Sequence, residues 1–78
     1  MQELVEFIAR SLVDDPTQVK VVPMRRGAQV ILSLHVAKED MGRIIGKSGR
    51  VASAMRTLLR VAAAQEGKRA ILDIMEPE

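Results

Sequence analysis

One nine-residue segment, Met41–Gly49, constrains the fold of this chain more than any other stretch. It reads Met-Gly-Arg-Ile-Ile-Gly-Lys-Ser-Gly, so apolar residues at helical spacing run into two glycines that bracket Lys47 and Ser48. A second, longer helical stretch begins at once, at Arg50. Glycine has no Cβ atom, and a helix N-terminus presents main-chain N–H groups at the positive end of its dipole. The segment predicts two helices joined by a tight turn at which an anion could approach the main chain.

The charges of the chain are segregated along its length. The net charge is only +2, but residues 1–19 carry a net −3, residues 20–69 a net +8 and residues 70–78 a net −3. Between residues 43 and 60 there are five basic side chains and no acidic one: Arg43, Lys47, Arg50, Arg56 and Arg60. Positive charge concentrated in this way is typical of a surface that binds a phosphate backbone. A solvated helix face is the alternative for these five residues.

Composition excludes several classes of function. The chain has one Phe and no Tyr or Trp, which removes base stacking on aromatic platforms. It has no cysteine, and neither a metal site nor a cofactor is predicted. No apolar run approaches the roughly 20 residues that span a membrane, and the acidic N-terminus is unlike a signal peptide, so we expect a cytoplasmic protein without membrane insertion. Seventy-eight residues predict a single domain, with residues 76–78 as a short tail.

Hydrophobic periodicity predicts six elements in the order α-β-β-α-α-β. The predicted helices cover residues 2–13, 41–45 and 50–65, and the predicted strands cover residues 18–24, 28–36 and 69–75. The first two strands should form a hairpin, and Asp40 is a suitable N-cap for the short helix. Pro23 suggests either an edge position for the first strand or the margin of that strand. We therefore predict an α+β fold in which three helices pack on a three-stranded sheet.

Two predicted helices carry apolar stripes. Leu4, Val5, Ile8 and Leu12 mark the buried face of the first helix, and Phe7 and Val13 extend this face or help to form a second contact. In the helix over 50–65 the predicted buried stripe is Val51, Ala54 or Met55, Leu58 and Ala62, and the solvent face is Ser53, Arg56, Thr57 and Arg60. The same helix has three further apolar residues outside this stripe: Ala52, Ala63 and Ala64. More apolar surface than one buried stripe requires favours self-association.

The segment Ile44-Ile45-Gly46-Lys47-Ser48-Gly49 resembles the G-x-x-G loop of KH domains. The element order is similar to that of the type II, bacterial KH fold. The lead-in from Lys38 and the stretch that follows Gly49 resemble the KhpA family, whose members are small stand-alone bacterial KH proteins. The resemblance covers essentially the whole chain. One residue departs from the KH pattern: Ala52 stands where a bulky aliphatic side chain is usual.

The resemblance implies a non-enzymatic RNA-binding protein that contacts single-stranded RNA with little sequence preference, as an RNA chaperone or post-transcriptional regulator. It also implies a homodimer, or a heterodimer with a larger RNA-binding protein of the KhpB/Jag type. The cellular roles that it implies are in cell elongation and envelope homeostasis, that is, in cell shape and cell wall biogenesis.

The same resemblance assigns the RNA-binding residues. Gly46, Lys47, Ser48 and Gly49 are expected to meet the RNA backbone, with Arg43 and Arg50 on either side. Ile44 or Ile45, or both, should line one wall of an apolar groove, and the strand over 28–36 should form the other. Ser53, Arg56 and Arg60 make a secondary basic face.

A second hypothesis is a protein-interaction subunit. In this case the loop and its neighbouring helices form a dimer interface, and RNA binding belongs to the assembly. The candidate interface residues are Met41, Gly46, Lys47, Ser48, Gly49, Ala52 and Met55.

The segment 42–48 is also similar to a P-loop, G-x-x-x-x-G-K-[ST]. It has three residues between the glycines instead of four, it follows a polar segment instead of a strand, and Ile44 and Ile45 are bulky. These features argue against nucleotide hydrolysis.

Overall fold

A computed structural model describes residues 1–46 and 49–75 of the chain. The helices are α1 (Gln2–Leu12), α2 (Met41–Ile45) and α3 (Arg50–Gln65), and the strands are β1 (Lys20–Arg26), β2 (Gln29–His35) and β3 (Arg69–Met75). Short 3-10 turns at Pro16–Gln18 and Lys38–Asp40 lead into β1 and α2. The predicted α+β class and the predicted element order are confirmed, and the predicted tail, residues 76–78, lies outside the described residues.

The three strands form one sheet in the order β1-β2-β3. Strands β1 and β2 are an antiparallel hairpin, whereas β2 and β3 run parallel. Alternate residues of β2 are buried, because one face of this central strand lies under the helices. The other face of the sheet is uncovered. The edge position predicted for the strand containing Pro23 is confirmed.

Strand β1 begins and ends two residues later than the predicted range of 18–24. Pro16 opens a 3-10 turn, where its fixed φ and missing N–H are tolerated, and this turn takes up the residues before the strand. At the other end, Arg25 and Arg26 were expected in a turn, but they pair with Val30 and Gln29. The hairpin turn is therefore only two residues long, and Gly27 supplies its positive φ of 57°.

The buried stripe of α3 includes Met55, one of the two predicted alternatives, but is otherwise one position away from the predicted one. Its buried residues are Ala52, Met55, Leu59 and Ala63, which follow the i, i+3, i+7, i+11 spacing of one helix face. Leu58, predicted to be buried, is 51% exposed. The alanines Ala52 and Ala63, which had suggested an apolar surplus, fill the core, where small side chains bring α3 close to the sheet.

The buried face of α1 agrees only in part with the predicted one. Leu4 and Ile8 are half-buried, whereas Phe7 and Leu12 are exposed. The buried residues are Val5, as predicted, and Ala9. The core lies between the helices and the sheet, and combines these two residues with side chains from every other helix and strand, chiefly Leu32, Leu34, Ile44, Leu59 and Leu72.

Helix α3 ends in a Schellman motif at Gly67. The Gly67 N–H donates to the Ala64 carbonyl at 3.0 Å, and the Lys68 N–H donates to the Ala63 carbonyl at 2.9 Å. Gly67 has a φ of 69°, which a residue with a Cβ atom adopts only at a cost. The motif turns the chain directly from α3 into β3.

Candidate nucleic-acid interface

The turn between α2 and α3 leaves the start of α3 open. The Gly46 N–H donates to the Gly42 carbonyl at 2.8 Å and ends α2, and the Gly49 N–H donates to the Gly46 carbonyl at 2.6 Å. Gly49 occupies the N-cap position of α3 in the left-handed conformation, with a φ of 83°, and no side chain of residues 1–46 or 49–75 caps this helix. Because the first N–H groups of a helix have no partner within it, they can receive an acceptor from outside. Lys47 and Ser48 lie outside the described residues.

The two glycines of the loop serve different purposes. A Cβ atom added to Gly46 would overlap the Val51 side chain, with Val51 Cγ2 the nearest atom and Val51 Cβ at 2.8 Å. Gly46 is therefore needed by the fold itself, because α3 packs directly against it. A Cβ atom added to Gly49 would meet nothing within 4 Å. The open approach to the main chain is thus at Gly49.

The two isoleucines before the loop face opposite directions. Ile44 is 0% exposed and belongs to the core, whereas Ile45 is 44% exposed. The sequence had assigned one or both of them to the wall of a binding groove. Only Ile45 can contribute to such a wall, because exposing Ile44 would require opening the core.

Arg43 was predicted to flank a bound phosphate, but its guanidinium is engaged by acidic side chains. Its Nη2 lies 2.8 Å from Asp14 Oδ2, and its Nε lies 3.7 Å from Asp40 Oδ1. The charge of Arg43 is thus directed towards the end of α1. Arg50, on the other side of the loop, is exposed and takes part in none of the ion pairs found among residues 1–46 and 49–75.

Asp40 supports this junction in a way that the sequence did not indicate. It stands at the N-cap position of α2, as predicted, but its carboxylate makes no capping hydrogen bond there. Instead, the carboxylate is 2% exposed and accepts hydrogen bonds from the main-chain N–H groups of Asp14, at 3.0 Å, and Asp15, at 3.2 Å. It therefore ties the segment after α1 to the start of α2. An Asp before a helix predicts a local cap, and nothing local identifies partners 25 and 26 positions away.

An open groove of about 600 Å³ lies between α3 and β3. Its lining includes basic side chains at both walls: Arg56 and Arg60 on α3, which are exposed, and opposite them the half-buried Lys68, just before β3, and the exposed Arg69. Val61 and Ile71 also line it. Ser53, which the sequence grouped with Arg56 and Arg60, is exposed on α3. None of these four basic side chains has an ion pair within the described part of the chain.

The wall opposite α3 is β3, and the prediction that β2 forms it is wrong. Strand β2 is central, so both of its edges are paired and its helix-facing side chains are buried. Strand β3 pairs parallel to β2 on the outside and is the strand that α3 contacts most. The only β2 residue in the lining of the groove is Gln29, at the end of that strand.

The structure does not reproduce the context of a P-loop. Residues 42–45 are part of α2, and a 3-10 turn precedes this helix where a P-loop has a strand. Among residues 1–46 and 49–75, no group of three or more His, Cys, Asp or Glu side chains could hold a metal ion. Within the same described ranges, no helix has the length and apolarity needed to cross a bilayer.

The geometry of two helices, a glycine-bracketed turn and a flanking groove agrees with the comparisons to known families. Residues 2–74 match the family described as "KhpA/KhpB, KH domain". The chain belongs to this family.

Several members of the KhpA/KhpB family are similar over nearly their full length. The chain is 48% identical over 75 residues to the RNA-binding protein KhpA of Clostridium acetobutylicum. This alignment covers 96% of the present chain and 100% of the relative. It is 42% identical over 76 residues to RNA-binding protein KhpA of Listeria monocytogenes, covering 97% and 100%. It is 45% identical over 75 residues to RNA-binding protein KhpA of Treponema pallidum, covering 96% and 94%.

In this KhpA/KhpB domain, the residues considered for self-association lie in different environments. Ala52 and Met55 are buried in the core, so they offer no surface to a partner, and Met41 is half-buried. The large exposed apolar side chains of α3 are instead Leu58 and Val61, at 51% and 55% exposure. The sequence missed them because the phase assigned to the helix placed Leu58 inside.

Proposed function

We propose that this protein binds single-stranded RNA, without catalysis and with little sequence preference, through the G-x-x-G turn and the groove between α3 and β3. The observation that carries the proposal is the uncapped start of α3 at Gly49, which has open space beside it. Phosphate oxygens are suitable acceptors for such N–H groups, and the helix dipole favours their negative charge. The relatives named RNA-binding protein KhpA support RNA as the ligand.

The basic side chains along α3 mark the path on which the proposed RNA lies. Helix α3 has 16 residues and is about 24 Å long, with Arg50 at one end and Lys68 and Arg69 just beyond the other. Arg56 and Arg60 lie between these ends on the groove side. KH domains clamp about four nucleotides, which is a length that this line of charges can accommodate. Contacts of this kind go to phosphates, so they bind RNA without reading its sequence.

The site residues of this proposal are those near the open approach. Gly49 and the main-chain N–H groups at the start of α3 meet a phosphate, Lys47 and Ser48 add a charge and a hydroxyl donor, and Ile45 contacts a base or sugar face. Arg50 supplies charge beside the loop. Arg56 and Arg60, with Lys68 and Arg69 opposite them, continue the path along the groove.

Fluorescence anisotropy with a labelled single-stranded RNA of mixed sequence tests the proposal. The Lys47→Asp/Ser48→Asp variant should lose binding, because it places negative charge where the phosphate is proposed to sit. The Ser11→Asp/Lys20→Asp variant changes the net charge by the same amount on the exposed side of α1 and on β1, and it should bind nearly as well as the parent. Equal losses in both variants would mean that only the overall charge matters, and no loss in either would overturn the loop assignment.

The salt dependence of binding is a second, independent test. Each phosphate neutralised by the protein releases condensed counterions, so about four contacts to single-stranded RNA predict a log–log slope of roughly −3. A slope near zero would rule out recognition of the RNA backbone as the source of affinity.

Self-association is the second candidate function, and the exposed stripe on α3 favours it. Ala54, Leu58 and Val61 are spaced i, i+4, i+7 and are all exposed, so they form one apolar face that no part of the described chain covers. We expect Leu58→Lys to lower the self-association constant measured by sedimentation equilibrium, with Thr57→Lys as an adjacent control on the exposed side of the same helix. A parent protein that stays monomeric at all concentrations would exclude this candidate.

Family membership also supports a proposal about cellular role. We propose that the protein acts in the cytoplasm as an RNA chaperone or post-transcriptional regulator, alone as a homodimer or with a KhpB/Jag-type partner, in cell elongation and envelope homeostasis. Deleting the gene should alter cell length, and a copy that carries Lys47→Asp/Ser48→Asp should fail to restore it. Full restoration by that copy would separate the cellular role from RNA binding.

A further inference from the structure

The groove between α3 and β3 does not end at the edge of the sheet. Its lining includes Ala70 and Leu72, which belong to or pack on the core. It also includes Arg69 and Ile71, which alternate with them along β3 and so lie on the uncovered face of the sheet. Gln29, the first residue of β2, lines the groove as well. The groove therefore opens around β3 onto the uncovered face.

A row of hydrogen-bond donors crosses the uncovered face from this opening. Arg69 pairs with Gln29, and Gln29 pairs with Arg26, so the three side chains lie side by side on β3, β2 and β1. The hairpin turn is tied to the same place, because the Arg69 N–H donates to the Ala28 carbonyl at 3.0 Å. Neighbouring strands are about 5 Å apart, so the main chain at Arg26 lies about 10 Å from that at Arg69. The donor row thus carries positive charge from the groove to the outer edge of β1.

An apolar row lies directly beside the donor row. Met24, Ile31 and Ile71 are paired across the three strands in the same way, each two positions along its strand from a member of the donor row. Met24 is 55% exposed, Ile71 is 41% exposed and Ile31 is half-buried. A nucleotide likewise presents a charged phosphate on one side and a flat base face on the other. The two rows together therefore match a nucleotide chain that lies across the strands.

A third row limits where such a chain can lie on this face. Its members are Val22, Ser33 and Asp73. The Asp73 carboxylate is exposed and would repel a phosphate. Lys20 lies beyond this row, at the far end of the same face of β1. Positive charge at Lys20 is thus separated from the groove by an acidic row, whereas Arg26 is joined to the groove by the donor row.

The two arginines of the donor row are available to a ligand. Both Arg26 and Arg69 are exposed, and neither takes part in an ion pair within the part of the chain that the structure describes. Continuity with the groove favours RNA over an acidic protein segment as the ligand, because Arg69 and Gln29 belong to the groove and to the donor row at once.

We propose that a longer single-stranded RNA leaves the groove at Arg69 and continues across the uncovered face of the sheet to Arg26. Its phosphates contact the donor row, and its base or sugar faces contact Met24 and Ile71. This inference rests on the RNA binding proposed above, and it extends the path beyond the about four nucleotides that a KH domain clamps.

Two lengths of labelled RNA test the extension by fluorescence anisotropy. An RNA of about four nucleotides fills the groove only, whereas one of about eight also reaches the donor row. The longer RNA offers more overlapping registers to the groove, so tighter binding by the parent protein is expected in any case. The decisive comparison is therefore between variants of the protein, each measured with both RNAs.

Arg26→Gln removes the charge at the far end of the donor row and keeps a long polar side chain. It should weaken binding of the longer RNA about three- to tenfold and leave binding of the shorter RNA unchanged. The log–log salt slope for the longer RNA should become shallower by about 0.7, which corresponds to one phosphate contact to a single strand. Arg26→Lys retains the charge and should bind both RNAs nearly as well as the parent.

Lys20→Gln is the matched control. It makes the same change of charge on the same face of the same strand, but beyond the row that contains Asp73. We expect it to bind both RNAs as the parent does. Equal losses in Arg26→Gln and Lys20→Gln, or a loss in Arg26→Gln that is the same for both RNAs, would overturn the extended path.

Photo-cross-linking locates the RNA independently of affinity. The longer RNA is labelled with a photoreactive thiouridine at its 5′ end or at its 3′ end. One of the two labelled RNAs should cross-link to residues 24–29, as identified by mass spectrometry. The absence of such a cross-link from both RNAs would also overturn the extended path.

The outcomes separate this inference from the proposal on which it rests. If the parent protein binds neither RNA, both fail. If both RNAs bind and are lost in Lys47→Asp/Ser48→Asp, while Arg26→Gln behaves as Lys20→Gln does, RNA binding by the loop and groove stands and the extension fails. Circular dichroism of each variant shows whether a loss of binding reflects the contact or the fold.

Discussion

Nη2 of Arg43 lies 2.8 Å from Oδ2 of Asp14. The sequence had placed Arg43 among the residues expected to contact RNA. Both side chains are largely exposed, so this pair stabilises the fold only slightly. The main effect of the pair is that it holds the positive charge of Arg43 beside Asp14 and away from a ligand at the loop. A basic residue next to the G-x-x-G turn is thus partly neutralised by an acidic residue 29 positions earlier in the chain.

Removing that acidic partner should strengthen RNA binding. We expect Asp14→Asn to increase RNA affinity about two- to fourfold, because it frees Arg43 and removes a negative charge near the loop. Asp15→Asn is the matched control, since it removes the same charge from a side chain that makes no contact with Arg43. Fluorescence anisotropy at low salt measures both. An equal gain in the two variants would mean that Arg43 plays no special part.

Removing the buried carboxylate of Asp40 should lower stability. Asp40→Ala leaves the Asp14 and Asp15 N–H groups without their acceptor, and we expect a loss of about 1–3 kcal/mol in the free energy of unfolding. Glu39→Ala changes an exposed neighbour in the same 3-10 turn and should have little effect. Urea denaturation measures the difference. Similar values for the two variants would show that the buried hydrogen bonds contribute little.

The two glycines of the loop should respond differently to alanine. Gly46→Ala should destabilise the fold, because its Cβ overlaps Val51, and adding Val51→Ala should recover part of the loss. Gly49→Ala should cost only about 1–2 kcal/mol for its left-handed backbone but should weaken RNA binding. Thermal unfolding and anisotropy on the same samples separate the two effects. A Gly49→Ala variant with full RNA affinity would move the proposed phosphate site away from the start of α3.

Neighbouring leucines of α3 provide a test of its phase. Leu59→Ala should lower the free energy of unfolding by about 2–5 kcal/mol, because Leu59 is buried in the core. Leu58→Ala should change it by about 0.5 kcal/mol or less, since this side chain is 51% exposed. Chemical denaturation measures the free energy of unfolding of both variants. A larger loss for Leu58→Ala than for Leu59→Ala would contradict the structure.

The fold was largely predictable from the sequence because its signals are local. The alternation over residues 29–35, the glycines at 46, 49 and 67, and the uninterrupted helical stretch from Arg50 each act within a few positions. The bounds of α2, α3 and β3 agree with their predicted ranges for this reason. The phase of α3 was harder to predict, because five alanines and two adjacent leucines allow several stripes of nearly equal hydrophobicity.

The site was less predictable because it depends on contacts between distant positions. Ile44 and Ile45 are adjacent and chemically identical, and only the packed core decides which of them is buried. The partners of Arg43 and Asp40 are more than 20 positions away, so no local pattern reveals them. The identity of the groove wall follows from sheet order: β2 had the stronger strand pattern, but the parallel partner β3 takes the position beside α3.

The parallel pairing of β2 with β3 also bears on the order in which the protein folds. Each residue of β3 pairs with one that lies 40 positions earlier, from Gln29 with Arg69 to His35 with Met75, whereas the β1–β2 hairpin closes across a two-residue turn. Contacts between distant positions form late, because the entropy of closing a long loop must be overcome first. During synthesis, moreover, β3 leaves the ribosome after the three helices and the other two strands. A nascent chain that ends before Arg69 can carry the glycine turn and all three helices, but it has no groove beside them.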